Sequence, residues 1–277
     1  MQAQSGLEFS KLCQNFERYF DLSLATTEAE KRTVYKLRYR VFCESLGFLD
    51  PTAFEDRHEE DDFDDHSVHC LITHRATGKA AGCVRLVNAD ATSDMPLERR
   101  FKGALNPETV ANTMHRRGRI AEISRLAVGY PFSMRKRPGA ERKTRDDGAM
   151  FSKAERQVFP LVGVTLMLAA GASADLLRRT ELFTFMEKSL QKRLRRIGVE
   201  TTRVGEDINF NGVRAPYFFN IDDAVRSFPH DIRVYYDRIR DHLEESMCAT
   251  NAPPRPIYGG SRAFEYPHHA GADLRLA

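Results

Sequence analysis

Residues 37–64 read LRYRVFCESLGFLDPTAFEDRHEEDDFD, and residues 120–128 read IAEISRLAV. The first stretch begins as a basic and apolar run with helical spacing, in which Arg38 and Phe42 lie one turn apart. It then continues into a densely acidic loop. The second stretch is typical of an apolar strand, and it contains Glu122 and Arg125. The chain thus has a helix, then an acidic loop, and later a strand that carries a glutamate and an arginine. This order is the main basis for predicting the fold.

The segments around these stretches predict alternating helices and strands. Thr27 and Glu30 have the spacing of a capping box, which predicts a helix start. Residues 68–74 and 79–87 predict two strands joined by a hairpin, and residues 7–24 predict a helix. Further helices are expected over 159–177, 188–198 and 223–245, and further strands over 181–186, 199–204 and 214–221. This alternation predicts an α/β fold with a mixed central sheet flanked by helices.

Composition excludes several functional classes. The net charge of +3 is too small to indicate a nucleic-acid partner. The five cysteines are scattered and form no C-x-x-C pair, which argues against a disulfide framework or a zinc knuckle. We expect no signal peptide and a cytoplasmic location, because the N-terminus lacks a basic region followed by an apolar run. The longest uncharged run, 158–174, is short for a membrane span, so no transmembrane segment is expected.

The domain organisation follows from the polar stretches. We expect one domain over residues 1–250, with a polar insertion at about 88–118 that contains helices. Residues 251–277 carry clustered prolines, glycines and histidines, which predicts a flexible tail. Asn211 and Gly212 predict a hairpin turn.

Ten residues form a specific order along the chain. They are Arg38, Phe42 and Phe48, then Glu59, Asp61 and Asp64, then Arg85, and finally Glu122, Ser124 and Arg125. This order resembles the acyl-homoserine-lactone synthases and the N-acyl amino acid synthases associated with the exosortase/PEP-CTERM system. Both are branches of the Gcn5-related N-acyltransferase (GNAT) superfamily. Phe48 departs from the lactone synthases, which usually have Trp there, and residues 205–217 resemble a G-x-x-x-x-x-x-G-x-R-x-P-Y segment of the exosortase-associated branch.

The resemblance implies a GNAT fold and an autoinducer-synthase-like acyltransferase. Such an enzyme would move a medium or long acyl chain from acyl carrier protein to the amino group of an amino acid or related small amine. An attacking amine must lose a proton, and Glu59 and Glu122 are the candidate general bases. The other eight residues of the order are candidates for substrate binding. The alternative is a structural role for most of them, since buried arginines and carboxylates also form ion-pair scaffolds.

The donor is expected to be an acyl-phosphopantetheine thioester, with no tightly bound cofactor. By resemblance, Leu126 and Val128 would contact the phosphopantetheine arm. The basic run Arg135, Lys136 and Arg137 would bind its phosphate or an acidic face of the carrier protein, although a solvated loop explains that run equally well. The Q-x-x-G-x-G/A signature of coenzyme A users is not evident, which favours a carrier protein.

Five other interpretations compete with this one. A metal site drawn from His58, Asp61, His66 and His69 lacks a ligand motif, so we expect no metal. A thiol nucleophile at Cys70 beside His69 is disfavoured, because adjacent strand residues point to opposite faces. The remaining alternatives are a lactone synthase, an acetyl-CoA-dependent small-amine acetyltransferase and an inert module that binds an acyl carrier or another partner.

Overall fold

A computed structural model describes residues 2–54, 56–90, 94–114, 116–133 and 150–249. The helices are α1 (Gln2–Tyr19), α2 (Glu28–Tyr39), α3 (Pro96–Phe101), α4 (Pro107–Met114), α5 (Lys153–Val158), α6 (Leu161–Leu176), α7 (Lys188–Arg196), α8 (Ile221–Ser227) and α9 (His230–Ala249). The strands are β1 (Phe20–Leu24), β2 (Ser67–His74), β3 (Ala80–Asn88), β4 (Ile120–Val128), β5 (Glu181–Glu187), β6 (Thr202–Arg203), β7 (Ile208–Asn209) and β8 (Val213–Asn220).

These strands form one mixed sheet in the order β1-β2-β3-β4-β5-β8-β6, with β7 paired to β8. Every neighbouring pair is antiparallel except β4 and β5, which run parallel. The predicted α/β fold with a mixed sheet flanked by helices is therefore confirmed. Parallel strands need a long crossover, which here includes α5 and α6.

Helices cover both faces of the sheet. The larger core lies between the sheet and α1, α6 and α9. Smaller clusters lie on the opposite face, where α2, the acidic loop and α3 pack. The capping box of α2 is confirmed: Thr27 Oγ1 accepts from the Glu30 N–H, and the Glu30 carboxylate accepts from the Thr27 N–H. After α2 the chain makes a π-helical turn over Arg40–Ser45 before the acidic loop.

Strands β4 and β5 separate partway along their length. Within the described chain, their pairing runs from Ile120 and Glu181 to Ile123 and Thr184, and both strands then continue apart. A bulge at Arg125, whose φ is +54°, lies just beyond the last pair. A bulge bends a strand and re-aims its side chains. Beyond Ile123 and Thr184 the two strands no longer pair, and we call the region between them the cleft.

Some sequence predictions need correction. Residues 20–24 belong to strand β1, although residues 7–24 were predicted to be one helix. In β1 the well-buried residues are Phe20 and Leu24, four positions apart, which mimics helical spacing. The strand expected over 199–204 is confined to Thr202–Arg203. The expected Asn211-Gly212 hairpin is present and joins β7 to β8, with positive φ at both turn residues.

Candidate active site

Arg38 is the centre of a buried ion-pair network. It projects from α2 and is fully buried. Its Nε donates to Glu59 Oε2 at 2.5 Å, and its two terminal nitrogens donate to both oxygens of Asp64 at 2.7 and 3.1 Å. Such bidentate pairing fixes the orientation of both groups. Arg38 therefore holds the acidic loop against α2.

Arg85 and Arg125 fasten the same loop to the sheet. From β3, Arg85 donates to Asp61 at 2.5 Å, to Asp64 at 2.8 Å and to Ser124 Oγ at 3.1 Å. From the bulge of β4, Arg125 donates to Glu59 Oε1 and Asp61 Oδ2, both at 3.0 Å. The structure thus joins seven of the eight charged or hydroxylic residues that the sequence order predicted.

The charges of this network are fixed by mutual attraction. Burial alone would raise the pKa of Glu59, but the guanidinium groups of Arg125 and Arg38 outweigh burial, and the pKa is lowered. The pKa values of Asp61 and Asp64 are also lowered, because arginines, led by Arg85 at Asp61 and by Arg38 at Asp64, outweigh the effect of burial. These three carboxylates are therefore ionised and poor proton acceptors at neutral pH.

Glu122 is the eighth member, and its surroundings differ. It lies on β4 next to the last residue that pairs with β5, and its side chain accepts the backbone N–H of Leu97 at 2.7 Å. Within the described residues no other group hydrogen-bonds to it. Burial raises the pKa of Glu122 to about 7, and the Leu97 N–H and the more distant Arg85, Arg100 and Arg125 limit the rise. A carboxyl group with a pKa near 7 is suited to proton transfer at neutral pH.

Phe42 and Phe48 lie at the edge of the network. The Phe42 ring is half-buried, 6.0 Å from the guanidinium carbon of Arg125. Phe48 lies 5.4 Å from the guanidinium carbon of Arg214, and its carbonyl accepts from the Asn211 side chain at 3.1 Å. The β7–β8 hairpin is thereby joined to the segment that follows α2.

The residues predicted to bind the donor lie in different places. Leu126 and Val128 are partly buried on β4 beyond the bulge and pack against the larger core. Arg135, Lys136 and Arg137 lie outside the described residues.

Sequence reasoning missed an aromatic wall beside Glu122. Phe185 follows Phe183 by two residues on β5, so both rings lie on the face to which Glu122 points. The Phe185 ring stacks on Phe101 of α3 at 4.2 Å, and Phe101 meets Phe210 of the hairpin edge to face at 5.2 Å. Phe210 is 41% exposed, so the wall reaches solvent. The available signal was the alternation of Phe183 and Phe185.

The thiol alternative is not supported. Cys70 and Cys83 are buried in β2 and β3, and burial raises their pKa values to about 11 and about 12. Cys70 Sγ contacts Ser173 of α6, whereas the His69 ring contacts the backbone carbonyl of Asp64. The side chains of Cys70 and His69 therefore point to opposite faces of the sheet. A thiol with a raised pKa is a poor nucleophile. No group of three or more metal-binding side chains occurs in the described ranges.

The comparisons with known proteins identify a GNAT acyltransferase fold in this chain. Residues 37–140 match the family model described as Acetyltransferase (GNAT) domain. The chain therefore contains a GNAT domain, and the matched segment includes the last turn of α2 with Arg38, the acidic loop and strands β2 to β4. A comparison with curated protein sequences finds none that matches significantly.

Solved structures extend the fold match beyond that domain. TofI, in a ternary complex with an inhibitor and MTA, shares 21% identity and a TM-score of 0.51, covering 79% of this chain and 96% of its own. The CoA-dependent acyl-homoserine lactone synthase BjaI, with SAM and isopentyl-CoA, shares 19% identity and a TM-score of 0.50, covering 80% and 89%. FeeM, an N-acyl amino acid synthase from uncultured soil microbes, shares 11% identity and a TM-score of 0.50, covering 76% and 94%. The resemblance to these two synthase groups is thus confirmed at the level of fold. No helix in the described part of the chain is long and apolar enough to cross a membrane.

Proposed function

We propose that this protein transfers a medium or long acyl group from acyl carrier protein to the amino group of an amino acid or a related small amine. The observation that carries the proposal is Glu122, a buried carboxyl group with a raised pKa beside the cleft between β4 and β5. The aromatic wall of Phe101, Phe185 and Phe210 supplies an apolar surface next to it. A base at the edge of an apolar cleft suits the joining of a fatty thioester and an amine.

The reaction needs one proton acceptor. The amine nitrogen loses a proton to Glu122 and attacks the thioester carbonyl carbon. The carbon–sulfur bond then breaks, the sulfur leaves as the thiol after it takes up a proton, and an amide forms. Negative charge develops on the carbonyl oxygen, and a backbone N–H of β4 beyond Ile123 is our candidate donor to it. No covalent enzyme intermediate is required.

The ion-pair network would shape the acceptor pocket. Asp61 is held by Arg85 and Arg125, and Arg100 of α3 donates to its second oxygen at 2.9 Å. The network therefore holds the acidic loop in contact with α3. We assign Glu59 to this scaffold, since both of its oxygens are bound to arginines. Phe42 and Phe48 would line the acceptor side of the pocket.

Helix α7 supports a carrier protein as donor. It begins directly after β5, and five of its exposed residues are basic: Lys188, Lys192, Arg193, Arg195 and Arg196. None of these five forms an ion pair with an acidic residue in the part of the chain that the structure describes. A cluster of uncompensated cations attracts an acidic protein surface and speeds encounter. The exosortase association stays a prediction of the sequence resemblance.

The function is tested by incubating the purified protein with matched acyl carrier protein and coenzyme A thioesters, pooled amino acids and S-adenosylmethionine. We expect mass spectrometry to show an N-acyl amino acid formed from the acyl carrier protein. An acyl-homoserine lactone would instead support the lactone synthase. An acetylated amine from acetyl-CoA would support the small-amine acetyltransferase. A folded protein that gives no product with any donor would contradict the proposal.

The donor is tested separately with Lys192→Glu. We expect kcat/KM with acyl carrier protein to fall on the order of tenfold at low salt and less at high salt, because charge attraction is screened. Turnover of the coenzyme A thioester should change little. Lys11→Glu, at an exposed position of α1, is the matched control and should leave turnover of both donors unaffected. An equal loss in Lys11→Glu would contradict a specific docking role for α7.

A further inference from the structure

One side chain forms hydrogen bonds near both ends of the segment between β3 and β4, residues 89–119. We call this segment the insertion. Arg179, which precedes β5, donates from Nη1 to the carbonyl oxygens of Ala89 and Arg117, both at 2.9 Å. These carbonyls lie near the two ends of the insertion. Arg179 therefore holds the first and last parts of the insertion together.

The far side of the insertion is held by a close backbone contact. The Glu206 N–H donates to Ala104 O at 2.8 Å, and the Asn106 N–H donates to Val204 O at 3.0 Å. Gly205 lies between these bonds, where a Cβ atom would be 1.7 Å from Ala104 O. Real Cβ atoms do not approach a backbone oxygen so closely, so a side chain there would push the insertion away. This explains the first glycine of the G-x-x-x-x-x-x-G-x-R-x-P-Y segment.

Between these two anchors, α3 reaches the candidate base. Glu98 accepts from the Met95 N–H at 2.8 Å and from Arg117 at 2.7 Å, which fixes the first turn of α3. The next backbone N–H, that of Leu97, donates to Glu122. The contact between α3 and Glu122 therefore lies on the insertion between its two anchored parts.

We propose that the insertion positions the general base, and that Gly205 and Arg179 are positioning residues that hold the Leu97 N–H against the Glu122 carboxylate. The inference rests on the proposed function of Glu122. The charged groups that face Glu122 are Arg85, Arg100 and Arg125, and none of them hydrogen-bonds to it in the described chain. The Leu97 N–H is therefore the direct contact that favours the ionised carboxylate.

The test is Gly205→Ala, with Gly118→Ala as the matched control. Gly118 lies in the same insertion, and a Cβ atom there would meet nothing within 4 Å. We expect the acidic limb of kcat against pH to move to higher pH in Gly205→Ala only. If the pKa of Glu122 rises from about 7 to about 8, the ionised fraction at pH 7 falls about fivefold, and the rate recovers at higher pH. A purely structural role would lower the rate at every pH without moving the limb.

A second measurement separates this inference from the proposed function. Infrared titration of the Glu122 carboxyl, identified by its loss in Glu122→Gln, needs no substrate. We expect its midpoint to rise in Gly205→Ala and in Arg179→Met, which opens the base of the insertion instead. An unchanged midpoint in a folded variant would overturn the inference. If the two variants show the raised midpoint but the wild-type protein transfers no acyl group, only the proposed function would be refuted.

Discussion

Glu59 and Glu122 are both buried carboxylates near the cleft, yet the surroundings of the two groups shift their pKa values in opposite directions. Glu59 lies in the acidic loop between Arg38 and Arg125, and its pKa is lowered. Glu122 lies in a largely apolar setting with one backbone N–H, and its pKa is raised to about 7. Burial acts on both groups, so direct hydrogen bonds from guanidinium groups, which Glu59 has and Glu122 lacks in the described chain, decide the outcome. The difference supports our proposal that Glu59 has a structural role and that Glu122 takes the proton.

The sharpest way to break this comparison is Glu122→Gln. We expect kcat to fall about 10²- to 10⁴-fold, because the variant lacks the proton acceptor. The free energy of unfolding should be unchanged or higher, since a neutral amide still accepts the Leu97 N–H without a buried charge. Steady-state kinetics and denaturant unfolding check the two parts. Wild-type kcat in this variant would refute the assignment of Glu122.

Glu59→Gln should have the opposite profile. Removing this charge leaves the buried Arg38 and the partly buried Arg125 without full compensation, so we expect the free energy of unfolding to fall by about 3–5 kcal/mol. Denaturant unfolding measures it. Glu60→Gln is the control, because Glu60 is an exposed neighbour, and its effect should stay within about 0.5 kcal/mol. Equal stability of the Glu59 and Glu60 variants would contradict the scaffold role.

The pH dependence of stability separates the two regions further. The lowered pKa values of Glu59, Asp61 and Asp64 mean that the network stabilises the fold above the ordinary carboxylate pKa and loses this contribution as pH falls. The raised pKa of Glu122 has the reverse effect: its contribution is complete below about 4.5 and is lost as pH rises to about 7. We expect that loss to be on the order of 3 kcal/mol. Unfolding measured from pH 4.5 to 7.5 should show it in the wild type but not in Glu122→Gln, and an identical profile for the two proteins would contradict the raised pKa.

Much of the fold could be predicted from local sequence signals. The capping box at Thr27 and Glu30 and the Asn211-Gly212 turn depend on neighbouring residues, so both could be predicted. Strand β1 could not, because a short edge strand with two buried positions four apart has the spacing of a helix. Whether a segment is a strand there depends on its partner β2, which lies about fifty residues away.

The sequence predicted which residues form the site, but it did not predict the role of each residue. The charged residues were identified from their order along the chain, and the structure brings Arg38, Asp64 and Arg85 together. The separate environment of Glu122 arises from the Leu97 N–H, and that contact depends on an insertion anchored through Gly205 and Arg179. Such long-range contacts leave no periodic signal in the sequence.

The pH dependence of kcat/KM for acyl transfer is the most direct test of the central claim, that Glu122 is the general base. In the wild type we expect the rate to rise with pH and to reach half of its maximum near pH 7, where the Glu122 carboxyl ionises. The residual rate of Glu122→Gln should lack this limb. A limb that survives unchanged in Glu122→Gln would show that another group takes the proton and would contradict the account.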